Sequence, residues 1–271
     1  MQKLVSIDLK SDFGFFRKPD ANNTINLSYN MLHKPALLGI LGAIVGLDGY
    51  SQAYTKGLET PVKKGEKRSP EFPEYYEIFK ELKVGIEPLN HEKGNFQKTV
   101  IKYSNTVGYA NNGSNYLTEE ATLIRPCYKV YLLLDINIEQ QLKLYEYLRD
   151  GKTEYIPYFG KNEFPVWWER ESFMEYEYLR VESINGSYKI RTLFEKAEIV
   201  KDQRESFFDL FNFHELADPF MYFERLPKGF NEELIQYDLG EFVYTTFNLK
   251  SDYIPDNIFE LKKEQEYVQL H

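Results

Sequence analysis

Apolar and polar residues alternate over residues 4–9 (LVSIDL), which predicts a first β-strand. Residues 11–30, SDFGFFRKPDANNTINLSYN, break that alternation with Gly, Asn, Asp and aromatic rings. They predict a long polar loop or a bent extended segment, a kind of segment that is more often functional than idle. Residues 34–46, KPALLGILGAIVG, are apolar nearly all round and predict a buried helix with Pro35 in its first turn. Gly39, Gly42 and Gly46 each weaken such a helix by about 1 kcal/mol, so close approach of another backbone is expected there, and Gly46 could also end the helix. Residues 73–82 predict a short helix and 84–86 the start of a strand. Residues 96–109 alternate, 110–115 (ANNGSN) form a turn tip, and 121–136 return as β-branched and aromatic residues, the pattern of a long hairpin. Residues 128–134 read as a buried strand. Asn137 is placed to cap a helix reaching Asp150, with Gly151 behind it and Ile138, Leu142, Tyr145 and Leu148 on one face. The order is strand, helix, two strands, helix, strand, with insertions, which is the ferredoxin-like arrangement.

After residues 155–165 (YIPYFGKNEFP) the chain turns acidic and aromatic. Short strands are expected over 178–183, 188–193 and 241–247, with Asn185-Gly186 as a strong hairpin signal between the first two. The charged stretch 260–271 is expected to fray. The fold class is therefore α+β. A ferredoxin-like (RRM-like) domain over 1–163 carries a hairpin at about 96–130, and a smaller β-rich region follows over 164–271.

Composition narrows the function. With 33 Lys+Arg against 42 Asp+Glu the net charge is −9, which argues against generic nucleic-acid binding by the whole surface. The charge is uneven, however. Residues 1–150 hold 19 basic and 18 acidic residues, whereas 151–271 hold 14 and 24. An RNA-facing surface fits the first half, and the acidic second half fits solvent or a basic protein partner. The single cysteine, Cys127, excludes an intrachain disulfide and a cysteine-cluster zinc site, and reads as a small buried hydrophobe. The most apolar stretch, 35–47, is well short of the ~20 residues of a membrane span, and no signal peptide is evident, so a soluble, cytoplasmic protein is expected.

No Gly-rich phosphate loop, HExxH box or GxSxG elbow occurs, the four histidines (His33, His91, His214, His271) are scattered, and no carboxylate pair stands out. No catalytic residue, metal site or cofactor is expected. What remains is recognition chemistry. In 11–30, Phe13, Phe15, Phe16 and Tyr29 interleave with Arg17, Lys18, Asn22, Asn23 and Ser28. Rings stack on unpaired bases, cations neutralise phosphate and amides read base edges. On the hairpin, Lys98, Lys102, Tyr103, Tyr109 and Arg125 offer the same chemistry. A basic cluster at Lys63, Lys64, Lys67 and Arg68 is either a solvated loop or a contact for RNA or protein.

The stretch SDFGFFRKPDANNTINLSYNMLHKPALLGILGAIVGLDGY resembles the N-terminal signature of the CRISPR-associated Cascade subunit that caps the crRNA 5′ handle. This is the fifth-numbered Cas family, within the repeat-associated mysterious protein (RAMP) superfamily. PYFGKNEF is similar to a later block of that family, and ERLPKGF before EFVYT resembles its type I-B branch. The resemblance implies a ferredoxin-like domain with a β-hairpin thumb and a small β domain behind it. It implies a non-enzymatic role in antiviral defence, holding the crRNA handle and joining the large subunit to the backbone filament, with target DNA met only indirectly and no membrane. The implied RNA contacts are Arg17, Lys18, Asn22, Asn23, Ser28, Tyr29, His33 and Lys34 near the first helix, and Lys102, Tyr103, Tyr109 and Arg125 on the arm. The type I-C branch cuts precursor RNA with a Tyr, a Lys and a His. Here residues 35–46 hold no Tyr, and His33-Lys34 is only a reversed pair ahead of the helix, so a metal-independent endoribonuclease is the runner-up.

Overall fold

The computed structural model describes residues 1–19, 24–59, 72–105, 116–196, 206–209, 216 and 218–271. The expected sites Asn22, Asn23 and Tyr109, the hairpin tip 110–115, the basic cluster Lys63, Lys64, Lys67 and Arg68, and His214 lie outside the described residues.

Strand β1 (Gln2–Lys10) leads through the 11–30 segment to helices α1 (Lys34–Val45), α2 (Tyr50–Glu59) and α3 (Glu74–Phe79). Strand β2 (Lys83–Leu89) precedes a hairpin, β3 (Lys98–Asn105) and β4 (Tyr116–Ile124). Then come β5 (Cys127–Asp135), α4 (Glu139–Asp150) and the short β6 (Met174–Tyr176). The central sheet runs β6-β1-β5-β2, with every neighbouring pair antiparallel. Its two middle strands, β1 and β5, are mostly buried because both faces of the sheet are covered. Val5, Ile7 and Leu9 point with Val130, Leu132 and Leu134 toward the core shared with α1 and α4. Leu4, Tyr131 and Leu133 point the other way, onto Phe259, Leu261, Val268 and Leu270.

Among the described residues from 178 onward the regular elements are strands, chiefly β7 (Tyr178–Val181), the long pair β8 (Met221–Asn231) and β9 (Gln236–Thr245), then β10 (Ile258–Leu261) and β11 (Glu266–Gln269). It is built into the first sheet. Strand β6 and a bridge from Trp167 to Lys10 both come from beyond residue 163 and flank β1, and Leu193, Leu226 and Phe242 join the core beneath α1. Among the described residues no single helix is long and apolar enough to cross a membrane.

The glycines of α1 have separate reasons. A Cβ at Gly42 would lie 2.3 Å from the Cβ of Tyr75 on α3, whereas one at Gly39 would meet only the Tyr75 ring at 3.7 Å. The close approach is thus a side-chain root on the crossing helix. Gly46 ends α1 in the left-handed conformation, with φ of 84°.

Several sequence expectations are corrected. Residues 121–136 are two strands, because Arg125 turns left-handed with φ of 48° before Pro126 and sends β5 away from the hairpin into the sheet. Asn137 does not cap α4. Its side chain donates to Asp135 Oδ1 at 2.9 Å, and Ile138 takes the N-cap position without a side-chain bond. The buried face of α4 is Leu144 and Leu148, while Ile138 and Leu142 are exposed. Asn185-Gly186 makes no hairpin. Strand β7 pairs with β10, Tyr188 bridges to Leu249 and Ile190 to Tyr267, so long-range pairing overrides the local turn. Residues 260–271 are ordered: β11 pairs with β10, and Val268 and Leu270 are fully buried.

Candidate nucleic-acid interface

Residues 13–17 and 25–29 form a collar around the root of the β3–β4 hairpin. Phe13–Gly14 pair antiparallel with β4, Ile25–Asn26 pair parallel with it, and Phe16–Arg17 pair with Ser28–Tyr29. Asn26 adds a bond from Nδ2 to Thr118 Oγ1 at 2.8 Å.

Residues 157–164 pack onto this collar. The Phe15 N–H donates to the Phe159 carbonyl at 3.0 Å, and the Phe16 and Phe159 rings meet edge-on at 5.5 Å. Gly160 is required by that contact: a Cβ there would sit 1.9 Å from the Phe15 carbonyl oxygen, and φ is 81°. The next residue, Lys161, pairs with Glu120 of β4 at 2.8 Å and lies 4.0 Å over the Tyr103 ring.

From β8, Glu224 at the head of the 224–230 block reaches the same segment. The buried Glu224 carboxylate accepts the N–H groups of Asn30 and Met31 at 3.2 Å and the Tyr222 hydroxyl at 2.8 Å, and pairs with Lys18 at 2.8 Å. Asn30 extends the network. Its Nδ2 donates to Gly94 at 2.7 Å, its Oδ1 accepts from the Phe96 N–H at 3.1 Å and Lys98 Nζ at 3.3 Å, and its carbonyl accepts from Tyr128 at 2.8 Å. Residues of three sequence blocks far apart in the chain, Phe15, Phe159 and Glu224 among them, therefore meet around the 11–31 segment beside the hairpin root.

This packing divides the expected RNA contacts. Ser28 is buried, accepts from the Phe16 N–H at 2.9 Å and donates to the Tyr29 carbonyl at 2.7 Å. Tyr29 is buried, with Lys18 Nζ 4.9 Å over its ring. His33 is buried and caps α1, its Nδ1 accepting from the Ala36 N–H at 3.3 Å, and burial lowers its pKa to about 3. Lys34 reaches the main-chain oxygen of His271 at 3.2 Å, and burial pulls its ammonium below the usual lysine range. These residues, with Lys18, build the platform. Lys102 is exposed but faces Glu119 at 2.7 Å on the paired strand, and Tyr103 lies under Lys161. Arg17 and Arg125 are the exposed pair, and neither side chain is bonded to any described residue. The sequence marks the cations but not their carboxylate partners, which only the fold supplies.

Cys127 is buried, which raises its thiol to about 11. Among the described residues no group of three or more His, Cys, Asp and Glu could hold a metal ion.

No protein-family model and no curated protein matches the chain. Solved structures do. A chain of the type III-B Cmr-beta complex bound to cognate target RNA and AMPPnP is 11% identical, covers 99% of each chain and gives a TM-score of 0.48. A chain of a CRISPR RNA-guided surveillance complex is 10% identical over 93% of this chain and 94% of its own, with a TM-score of 0.45. A CRISPR protein from Archaeoglobus fulgidus is 12% identical over 99% and 98%, with a TM-score of 0.44. At these values the likenesses carry no conclusion about function.

Proposed function

We propose that this chain is an RNA-binding subunit of a type I Cascade complex that holds the crRNA 5′ handle and bridges the large subunit and the backbone filament. One observation carries the reading. The three blocks that resemble the handle-capping family, 11–50, 157–164 and 224–230, each send residues to the segment at the root of the β3–β4 hairpin, where that family's thumb would stand: Phe13–Gly14 pair with β4, Phe159 accepts from Phe15, and Glu224 holds Lys18 and Asn30. The strand order β6-β1-β5-β2, with a helix after β1 and another after β5, is that of a ferredoxin-like sheet and supports the same reading. Arg17 and Arg125 are the cations left to meet phosphate. The reading includes no nuclease role. His33 is buried among Phe16, Tyr29 and Tyr237 and spends Nδ1 on the helix cap, which suits packing rather than proton transfer to a substrate.

The test is co-expression with the neighbouring CRISPR-associated subunits, purification of the assembly and sequencing of the bound RNA 5′ ends. A uniform repeat-derived 5′ end that is lost when this chain is omitted is expected. Assembly and handle protection without the chain would refute the role. Clean cutting of repeat RNA by the chain alone, abolished by His33→Ala, would replace it with the endoribonuclease.

A further inference from the structure

Seven non-glycine residues among those described have positive φ, and three of them line one open groove: Asn90 at 55°, Lys93 at 50° and Arg125 at 48°. Left-handed backbone at such residues is strained and gathers at ligand clamps. The groove, of about 1340 Å³, lies between the loop after β2, the root of the hairpin and Asp12-Phe13.

Its loop wall is held rigidly. Lys93 and Gly94 are the central residues of a two-residue turn closed by reciprocal 2.8 Å backbone bonds between Glu92 and Asn95. The Gly94 N–H donates to His91 Nδ1 at 3.0 Å, its carbonyl accepts from Asn30, and Tyr222 leaves no room for a Cβ there.

The charges along the groove cancel. Asp12 and Glu92 oppose Lys93 and Arg125, and Lys93 is already paired with Asp218 at 2.8 Å. A groove of this kind does not collect a polyanion by its field alone. What it offers is an exposed ring at Phe13, tilted against Phe164 at 5.8 Å, the amides of Asn95 and Gln97, and one unpaired guanidinium. The Gln97 and Arg125 side chains are bonded to none of the described residues, and Asn95 only spans its own turn, to the Lys93 carbonyl at 3.3 Å. A flat ring with donors and acceptors along its edge, attached to a single phosphate, matches that set.

We propose that this groove takes one unstacked nucleobase of a single-stranded RNA. Phe13 stacks on its face, Asn95 and Gln97 read its edge, and Arg125 holds the adjoining phosphate. The proposal rests on the RNA-binding reading above and makes the 90–97 loop the base-selecting element.

The test measures binding of the full chain to short oligo-A, oligo-C, oligo-G and oligo-U RNAs by fluorescence anisotropy, with melting temperatures as a folding control. The wild type ranks the four bases. The Asn95→Ala/Gln97→Ala double variant loses about tenfold on the preferred base and stays within about twofold on the others. Phe13→Leu weakens all four by roughly tenfold, since stacking tolerates any base. Equal wild-type affinity for all four, or an equal loss on all four in the double variant, overturns the base pocket while RNA binding stands. Absence of RNA binding by the wild type overturns both.

Discussion

Lys18 Nζ sits 2.8 Å from Glu224 Oε1, joining the loop after β1 to the long hairpin near the far end of the chain. The carboxylate is almost fully buried and also receives two backbone N–H groups and a tyrosine hydroxyl. Removing it by Glu224→Ala strands those donors and a lysine, at a cost of roughly 3 kcal/mol. Lys18→Ala leaves the other three donors in place and costs about 1 kcal/mol. Urea unfolding of the two variants checks the order. Equal losses would mean that the network does not share the carboxylate in this way.

Arg17 stands next to Lys18 yet faces solvent, so the two neighbours should separate in experiment. Arg17→Ala is expected to leave the melting temperature unchanged and to lower the slope of log affinity against log salt by about 0.7, the contribution of one phosphate contact on a single strand. Lys18→Ala should show the opposite profile. Anisotropy titrations at several salt concentrations decide between them.

His33 gives the fold a pH dependence of known sign. Burial lowers its pKa from 6.5 to about 3, so the folded chain holds it neutral and the unfolded chain protonates it first. Its contribution is complete above about pH 6.5 and is lost at about 1.4 kcal/mol per pH unit as the pH falls toward 3. His271 is shifted in the same direction by burial. His33→Asn keeps a capping acceptor and should flatten the fall in stability between pH 6.5 and 5. An unchanged pH profile in that variant would show that His33 is not the titrating group.

Gly39 and Gly42 lie one turn apart on α1 and should respond with opposite signs. Gly39→Ala meets nothing closer than 3.7 Å and gains helix propensity, up to about 1 kcal/mol of stability. Gly42→Ala drives a methyl onto the Tyr75 Cβ and should lose roughly 1–3 kcal/mol. Thermal melts of both variants test the helix crossing.

Arg125 combines strain with exposure. Arg125→Gly relieves a left-handed backbone and should raise stability by up to about 1 kcal/mol while weakening RNA binding and its salt dependence. A variant that loses both stability and binding would mean that the side chain supports the fold.

The order of the first elements was legible because each carries its own period. The alternation of β1, the apolar body of α1 and the run Tyr128 to Leu134 are local facts that packing then uses on both faces of one sheet. The misreadings share one cause. Asn185-Gly186 is a good turn, but Tyr188 and Ile190 find partners near residues 249 and 267 that no local window contains. In the tail the charges end at Glu266, and beyond them Val268 and Leu270 alternate into the core. At the candidate interface, residue type marked Lys18 and Ser28 as polar and available. Glu224 and the Phe16 N–H, brought in by the fold, make both structural. Asn95 and Gln97 carried no signal beyond their chemistry, since the turn that presents them depends on Asn30 and Tyr222.

The outer edge of β2 is covered by two late segments. Val84 exchanges backbone hydrogen bonds of 3.1 and 3.0 Å with His271, and the Leu193 N–H donates to the Ile86 carbonyl at 2.7 Å. On the ribosome this edge therefore emerges long before the residues that shield it. Until those segments are made, the β2 edge has no partner, and an unpaired strand edge is the kind of surface that couples one chain to another. A translation pause between residues 193 and 271 would leave half of that edge open, and is expected to lower the soluble yield without changing the stability of the finished fold.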